Sequence, residues 1–308
     1  MKTEAVRMAF TAALLEAAKE NPVLYAITTD SRGSVTLNDF AGQLPDQFVE
    51  MGIAEQNAVG VSAGLANAGL RPFVCGPACF YSMRASEQIK VDVAYSEMNV
   101  KIIGVSGGVS YGALGTSHHS TQDIALMCAI AGLEVFLPAD GPQMRALMQH
   151  LTVSDTPAYV RMGRGAVPNV YDDPAPFIPG KANRLREGDN LSLIACGEMV
   201  YYALGAAELL AQQGVSSSVY DMHTLSPLDE TAVLEAAQTG LVVTVEEHCV
   251  HGGLGSAVAS VLAQRKPTRM RILGLPKEQL YNGSSAEVFA HYGLTAEGIA
   301  QSCMEVIA

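Results

Sequence analysis

With 308 residues, 49% of them apolar, the chain has material for two domains of ordinary size with a buried core in each, and disorder is set aside as the main theme. Its 31 acidic against 19 basic residues give a formal charge of −12, which argues against a broad phosphate-backbone surface and so against a nucleic-acid partner. The amino terminus, MKTEAVRMAF, carries Glu4 and Arg7 where a secretory leader needs unbroken apolar residues, and no apolar run approaches the ~20 residues of a membrane span. A cytoplasmic protein with no membrane role is expected, with Cys75, Cys79, Cys128, Cys196, Cys249 and Cys303 as reduced thiols rather than a disulfide framework.

Thr3 is placed to cap a first helix whose stripe of Val6, Phe10, Ala13, Leu14 and Ala17 has helical spacing. Strands are predicted over residues 23–28, 72–75, 101–105, 134–137 and 158–161, and helices over 54–67, 86–95, 121–130 and 142–151. Short strands alternating with longer helices indicate parallel strands joined by crossover helices. Residues 1–167 are therefore expected to form a three-layer α/β domain on a doubly wound, mainly parallel sheet. Residues 168–184 read as a linker, because prolines 168, 174, 176 and 179 flank Asp172 and Asp173 without periodicity. In residues 185–308, strands over 191–195, 218–221, 241–245 and 271–273 and helices over 200–212 and 255–263 describe a second, smaller α/β domain.

The most informative segment is GIAEQNAVGVSAGLANAGL, residues 52–70, in which Glu55 is the single charged side chain. A helix so rich in Ala, Gly and Val is expected to pack on nearly all sides. An unpaired carboxylate there would be driven to protonate, so Glu55 is either tied to a basic partner, held for catalysis, or answering the amides of the helix's first turn. A second segment, GVSGGVSYGALGTSHH at residues 104–119, follows an apolar strand; its glycines allow backbone to approach a ligand closely. Cys75 with Cys79, or Glu247, His248, Cys249 and His251, are possible metal ligands, but no second ligand pair stands at zinc-site spacing.

The run Gly52-Ile53-Ala54-Glu55-Gln56-Asn57 followed by Arg71-Pro72-Phe73-Val74 resembles the pyrimidine-binding domain of transketolases and 1-deoxyxylulose-5-phosphate synthases. The segments 221–229, DMHTLSPLD, and 245–255 resemble the carboxy-terminal domain of the same family. The resemblance implies thiamine diphosphate as cofactor. It makes Glu55 the acid that meets the aminopyrimidine ring nitrogen and favours the imino tautomer, which takes the proton from the thiazolium carbon. Phe80 would stack on that ring and Asp30 would lie near the thiazolium. His118 would face the substrate oxygens, with His119 beside it less involved. Ser34 and Arg161 would hold the substrate phosphate, with Arg164 in reserve, since a guanidinium fork suits a terminal phosphate. Leu114 and Ser106 stand where transketolases carry a hydroxyl-reading acid and a second histidine, so an unusual sugar is expected. His248 and His251 read as structural.

The magnesium-binding Gly-Asp-Gly motif with its downstream Asn, which the family uses for the diphosphate, is not found; Glu187-Gly188-Asp189-Asn190 lacks the second glycine. The resemblance thus covers the last two of three transketolase domains. It implies a split transketolase whose Mg2+ is held by an amino-terminal partner subunit, two chains of each kind forming a heterotetramer that acts on sugar phosphates. A 2-oxo acid dehydrogenase beta-type subunit, a 1-deoxyxylulose-5-phosphate synthase relative and a non-catalytic scaffold subunit remain as alternatives.

Overall fold

The computed structural model describes residues 2–307; Met1 and Ala308, the outermost residues of the two expected domains, lie outside the described residues. In chain order the strands are β1 (Thr3–Ala5), β2 (Leu24–Thr28), β3 (Phe48–Glu50), β4 (Arg71–Pro77), β5 (Lys101–Val105), β6 (Glu134–Phe136), β7 (Ala158–Met162), β8 (Ala166–Pro168), β9 (Asn183–Arg186), β10 (Leu191–Ala195), β11 (Ser217–Asp221), β12 (Thr224–Ser226), β13 (Leu241–Cys249) and β14 (Arg269–Leu275). The first sheet has the order β12-β6-β7-β5-β4-β2-β3 and is parallel except at β12, which the second half of the chain lends to it. The second has the order β14-β13-β10-β11-β9, antiparallel only at β9. Two α/β units on mainly parallel sheets are thus the observed architecture. The short strands β1, β3, β8, β9 and β12, of three or four residues each, fall outside the predicted elements because so few residues display no readable alternation.

The first helix, α1 (Val6–Glu20), buries Val6, Phe10 and Leu14 as its stripe requires, together with Ala9, Leu15 and Ala18. Thr3 does not cap it: Thr3 lies in β1, paired with Pro168 of β8, and Ala5 occupies the cap position. These α1 residues cover one face of the first sheet with Leu147 and Leu151, and the short α2 (Asn38–Gln43) adds Phe40 to the same layer. The other face carries Val59, Tyr81 and Ile89 and continues without a break into Ile194, Tyr220 and Met222 of the second unit. The predicted helix over 86–95 becomes a single turn, Ser86–Gln88, followed by a wide π-helical stretch, Ile89–Tyr95.

Residues between β8 and β9 are packed down as a strap. Asp140 accepts hydrogen bonds from the Val170 and Tyr171 amides (2.6 and 2.8 Å), the Tyr171 hydroxyl donates to Asp221 (2.6 Å), and Phe177 packs at a tilt against His223 (centroids 4.5 Å apart). Chain order in the first sheet reverses at β2, with β3 on one side and β4 on the other. The loops past the carboxyl ends of β2 and β4 therefore border a crevice where open α/β sheets bind ligands.

Candidate active site

The helix α3 (Glu55–Asn67) begins on Glu55, after a turn that Gly52 makes at φ +66°. Glu50 stiffens this corner: one of its oxygens accepts from the Asp30 amide (2.7 Å) and the Gly52 amide (3.1 Å), tying the β2 loop to the α3 entry. Ala58, Val59, Ser62 and Ala63 are buried, whereas Gln56, Asn57, Gly64 and Asn67 are exposed. The expectation of packing on nearly all sides is thus corrected: one face of α3 packs within the chain. Glu55 is buried, 5% exposed, and is not alone. Nη1 of Arg84 donates to its Oε1 at 2.9 Å.

Arg84 and Phe80 lie four residues apart on the next helix, α4 (Ala78–Arg84), so both project from one face. The Arg84 guanidinium stands 3.9 Å from the Phe80 ring centroid, a cation–π contact. Glu55, Arg84, Ile53, Ala54, Gln56 and Asn57 line an open depression of about 550 Å³.

From Phe80 the contacts run on in sequence. Its ring meets His118 edge-on with centroids 5.4 Å apart, and His118 meets Tyr111 at 5.5 Å. Arg164 lies over the Tyr111 ring, 4.4 Å from its centroid, and donates to the Tyr111 hydroxyl. That hydroxyl donates to Ser34 Oγ (3.0 Å), and the Ser34 carbonyl accepts from Nη1 of Arg7 (2.6 Å). Four of the predicted residues, Glu55, Phe80, His118 and Ser34, therefore belong to one connected run. His118 is half-buried, with Nδ1 2.9 Å from Ser117 Oγ.

Arg7 and Arg164 form no ion pair with a carboxylate among the described residues. Burial, and then the positive charge of Arg164, pull the Arg7 guanidinium below its ordinary value, and Arg7 Nε is shielded from solvent without a partner. Two like charges held together without a counter-charge, beside two hydroxyls, form an anion-receptive corner.

Arg161 does not join this run. It is 5% exposed, with Nε 3.2 Å from Asp123, Nη2 3.5 Å from a Glu247 oxygen, and Nη2 donating to the Glu247 carbonyl at 2.7 Å. Burial works against its charge, but the Asp123 and Glu247 carboxylates outweigh it and hold the guanidinium above the ordinary arginine value. Nε and Nη2 of Arg161 thus face carboxylates and a carbonyl of the chain itself, whereas Arg164, the reserve, stands in the run above. Asp30 is exposed at φ +51° just past β2, on the lip of the crevice, and its side chain makes none of these contacts.

His119 is buried against the Gly112 carbonyl (3.3 Å), and burial lowers its pKa. Ser106 is buried with no partner for its hydroxyl, while Leu114 is 53% exposed. Gly107 and Gly108 serve the interior: a Cβ on Gly107 would strike Arg161, and one on Gly108 would strike Glu247. His248 is buried, its Nδ1 2.7 Å from the Cys249 carbonyl and its Nε2 accepting from the Ala125 amide at 3.3 Å; His251 is exposed. No group of three or more His, Cys, Asp or Glu side chains among the described residues is placed to hold a metal.

Arg7, Arg84 and Tyr111 escape a reading of the sequence. Arg84 alone left a trace, its spacing of four from Phe80; Arg7 and Tyr111 reach Ser34 from 27 and 77 residues away.

The family profile for the transketolase pyrimidine-binding domain matches residues 2–169, and that for the transketolase C-terminal domain matches residues 180–299. The chain belongs to the transketolase family. It is 52% identical over 305 residues to an apulose-4-phosphate transketolase subunit from Phocaeicola vulgatus, covering 98% of this chain and 97% of that protein. It is 34% identical to the 1-deoxy-D-xylulose-5-phosphate synthase of Magnetococcus marinus over 97% of this chain but only 48% of that longer protein. A solved structure described as a split gene transketolase, inactive beta4 tetramer, superposes with a TM-score of 0.91 at 37% identity, covering 98% of both chains. Transketolase-family membership carries dependence on thiamine diphosphate. The buried Glu55 carboxylate and the half-buried Phe80 ring, set at the edge of an open depression, fit the pyrimidine end of that cofactor.

Proposed function

We propose that this chain is the carboxy-terminal subunit of a split transketolase of carbohydrate metabolism, working in the cytoplasm. It moves a two-carbon ketol unit from a ketose phosphate to an aldose phosphate, as in the pentose phosphate reactions, within a heterotetramer of two such chains and two amino-terminal partners. The partner's Gly-Asp-Gly motif holds magnesium and the diphosphate. The observation that supports this reading is the connected run from Glu55 through Phe80, His118 and Tyr111 to Arg164, Ser34 and Arg7, which links a buried carboxylate and an aromatic ring to a pair of guanidiniums.

When bound, thiamine diphosphate supplies the nucleophilic carbon that takes up the two-carbon unit. Glu55 holds a proton at the pyrimidine ring nitrogen, Phe80 stacks on that ring, and Asp30 lies toward the thiazolium. His118 exchanges a proton with a substrate oxygen. Arg164, Arg7 and Ser34 bind the terminal phosphate, and Arg161 braces the loop behind them. A sugar 4-phosphate, as in the name of the Phocaeicola vulgatus relative, suits the paired guanidiniums. Leu114 puts an exposed apolar side chain where other transketolases read a hydroxyl, which favours a sugar lacking that contact. The test is to assemble the chain with its partner and follow cleavage of ketose phosphates beside decarboxylation of pyruvate. Ketose phosphate turnover is expected; turnover of pyruvate alone would remove the ketol-transfer reading.

A further inference from the structure

Arg84 has no part in the chemistry assigned above, yet it is the side chain that touches both residues at the pyrimidine end. Its side chain is 48% exposed while that of Glu55 is 6% exposed, so a part-exposed cation lies across a buried anion. Nη1 engages Oε1 of Glu55, and no hydrogen bond to Oε2 is formed among the described residues. The same guanidinium lies over the Phe80 ring, 3.9 Å from its centroid. Arg84 also forms one wall of the depression that Ile53, Ala54, Gln56 and Asn57 complete. An interior ion pair between α3 and α4 would hide the guanidinium; here it faces the open side of the site.

We infer that Arg84 is a positioning residue for the cofactor: it fixes the Glu55 carboxylate by one oxygen and the Phe80 ring by its face, leaving the second carboxylate oxygen aimed at the pyrimidine ring nitrogen. The inference rests on the reading that the pyrimidine meets Glu55 and Phe80. Two short rotors are locked by one planar fork, whereas a lysine's compact point charge serves the carboxylate or the ring less well when both must be held at once.

The test uses the assembled enzyme and thiamine diphosphate itself. Affinity is measured by titration, and the near-ultraviolet circular dichroism band of the bound imino tautomer is recorded, alongside the melting midpoint of the cofactor-free complex. Arg84→Met is expected to weaken cofactor binding about tenfold, which corresponds to 1.4 kcal/mol, and to diminish the tautomer band while the melting midpoint holds. Arg84→Lys is expected to restore the band in part. Glu55→Ala serves as the reference and is expected to abolish the band. If Arg84→Met changes neither affinity nor band while Glu55→Ala removes the band, or if Arg84→Lys recovers nothing, the positioning role is wrong and the site reading stands. If Glu55→Ala also leaves the band intact, the site reading itself fails.

Discussion

Arg161 and Arg164 leave the same strand end three residues apart and meet opposite fates. Arg161 is sealed between Asp123 and Glu247 where the two units join, with Glu198 close by. Arg164 is half-buried on the site's edge, over Tyr111 and near a second arginine, with no carboxylate partner among the described residues. The difference teaches that a guanidinium's role is set by what already occupies its donors. In the seam, one arginine faces an excess of carboxylates, and burial pushes both Glu198 and Glu247 up from the ordinary carboxylate range. Glu247 meanwhile accepts from the Val109 amide at 2.7 Å, so the seam grips the loop that carries Tyr111 and His118. The rim is left with charge to spend on a ligand; the seam is not.

Substitutions should separate these two regions by the kind of loss each produces. The largest effect on turnover belongs to the rim: Glu55→Ala should lower transfer by roughly 100-fold or more, the scale of a positioned proton-transfer group, while assembly by size-exclusion chromatography stays intact. A complex that retains its rate would point to a scaffold subunit. The largest effect on stability belongs to the seam. Arg161→Met leaves buried carboxylates without their cation and should cost about 3–5 kcal/mol in denaturant unfolding; a loss confined to the KM for substrate would instead return Arg161 to phosphate binding.

Arg164→Ala, and separately Arg7→Ala, should raise the KM for phosphorylated sugars by an amount equivalent to about 1.5–3 kcal/mol, typical of hydrogen bonds to charged groups. Both should spare the unphosphorylated sugars, and an equal rise for both sugar types would remove the anion corner. The remaining effect is one of pH. Burial raises Asp221, held by Tyr171 and Gln143, to about 7, and Glu246 likewise to about 7. A carboxyl whose folded pKa is raised binds its proton more tightly in the native state, so its stabilising contribution is full at acid pH and is lost as pH climbs through about 7. The melting midpoint should fall across that interval, and Asp221→Asn should flatten the slope.

The α/β order was legible because strands such as β5 and β10 are buried on both faces and read as apolar runs. So was Glu55 as a side chain needing a partner, since a lone carboxylate in a small-residue helix violates the pattern around it, and Arg84 meets it. What the sequence hid was pairing across distance. The partner of Glu55 sits 29 residues on, that of Arg161 sits 86 residues on, and Arg7 meets Ser34 across 27. Spacing along one element is printed in the sequence; the topology that brings β7 against β13 is not. The glycines of residues 104–119 conceal the same kind of pairing: Gly107 and Gly108 make room for Arg161 and Glu247, Gly104 for Tyr159, Gly112 for the Gly283 carbonyl and Gly115 for Asn282.

The central claim is that this chain carries half of an active site. It is tested most directly by measuring two-carbon transfer from a ketose phosphate with this chain alone, the amino-terminal partner alone, and the two mixed with thiamine diphosphate and magnesium. Turnover only in the mixture, abolished by Glu55→Ala, is the expected result. Full turnover by either chain alone, or a mixture indifferent to Glu55, would contradict it.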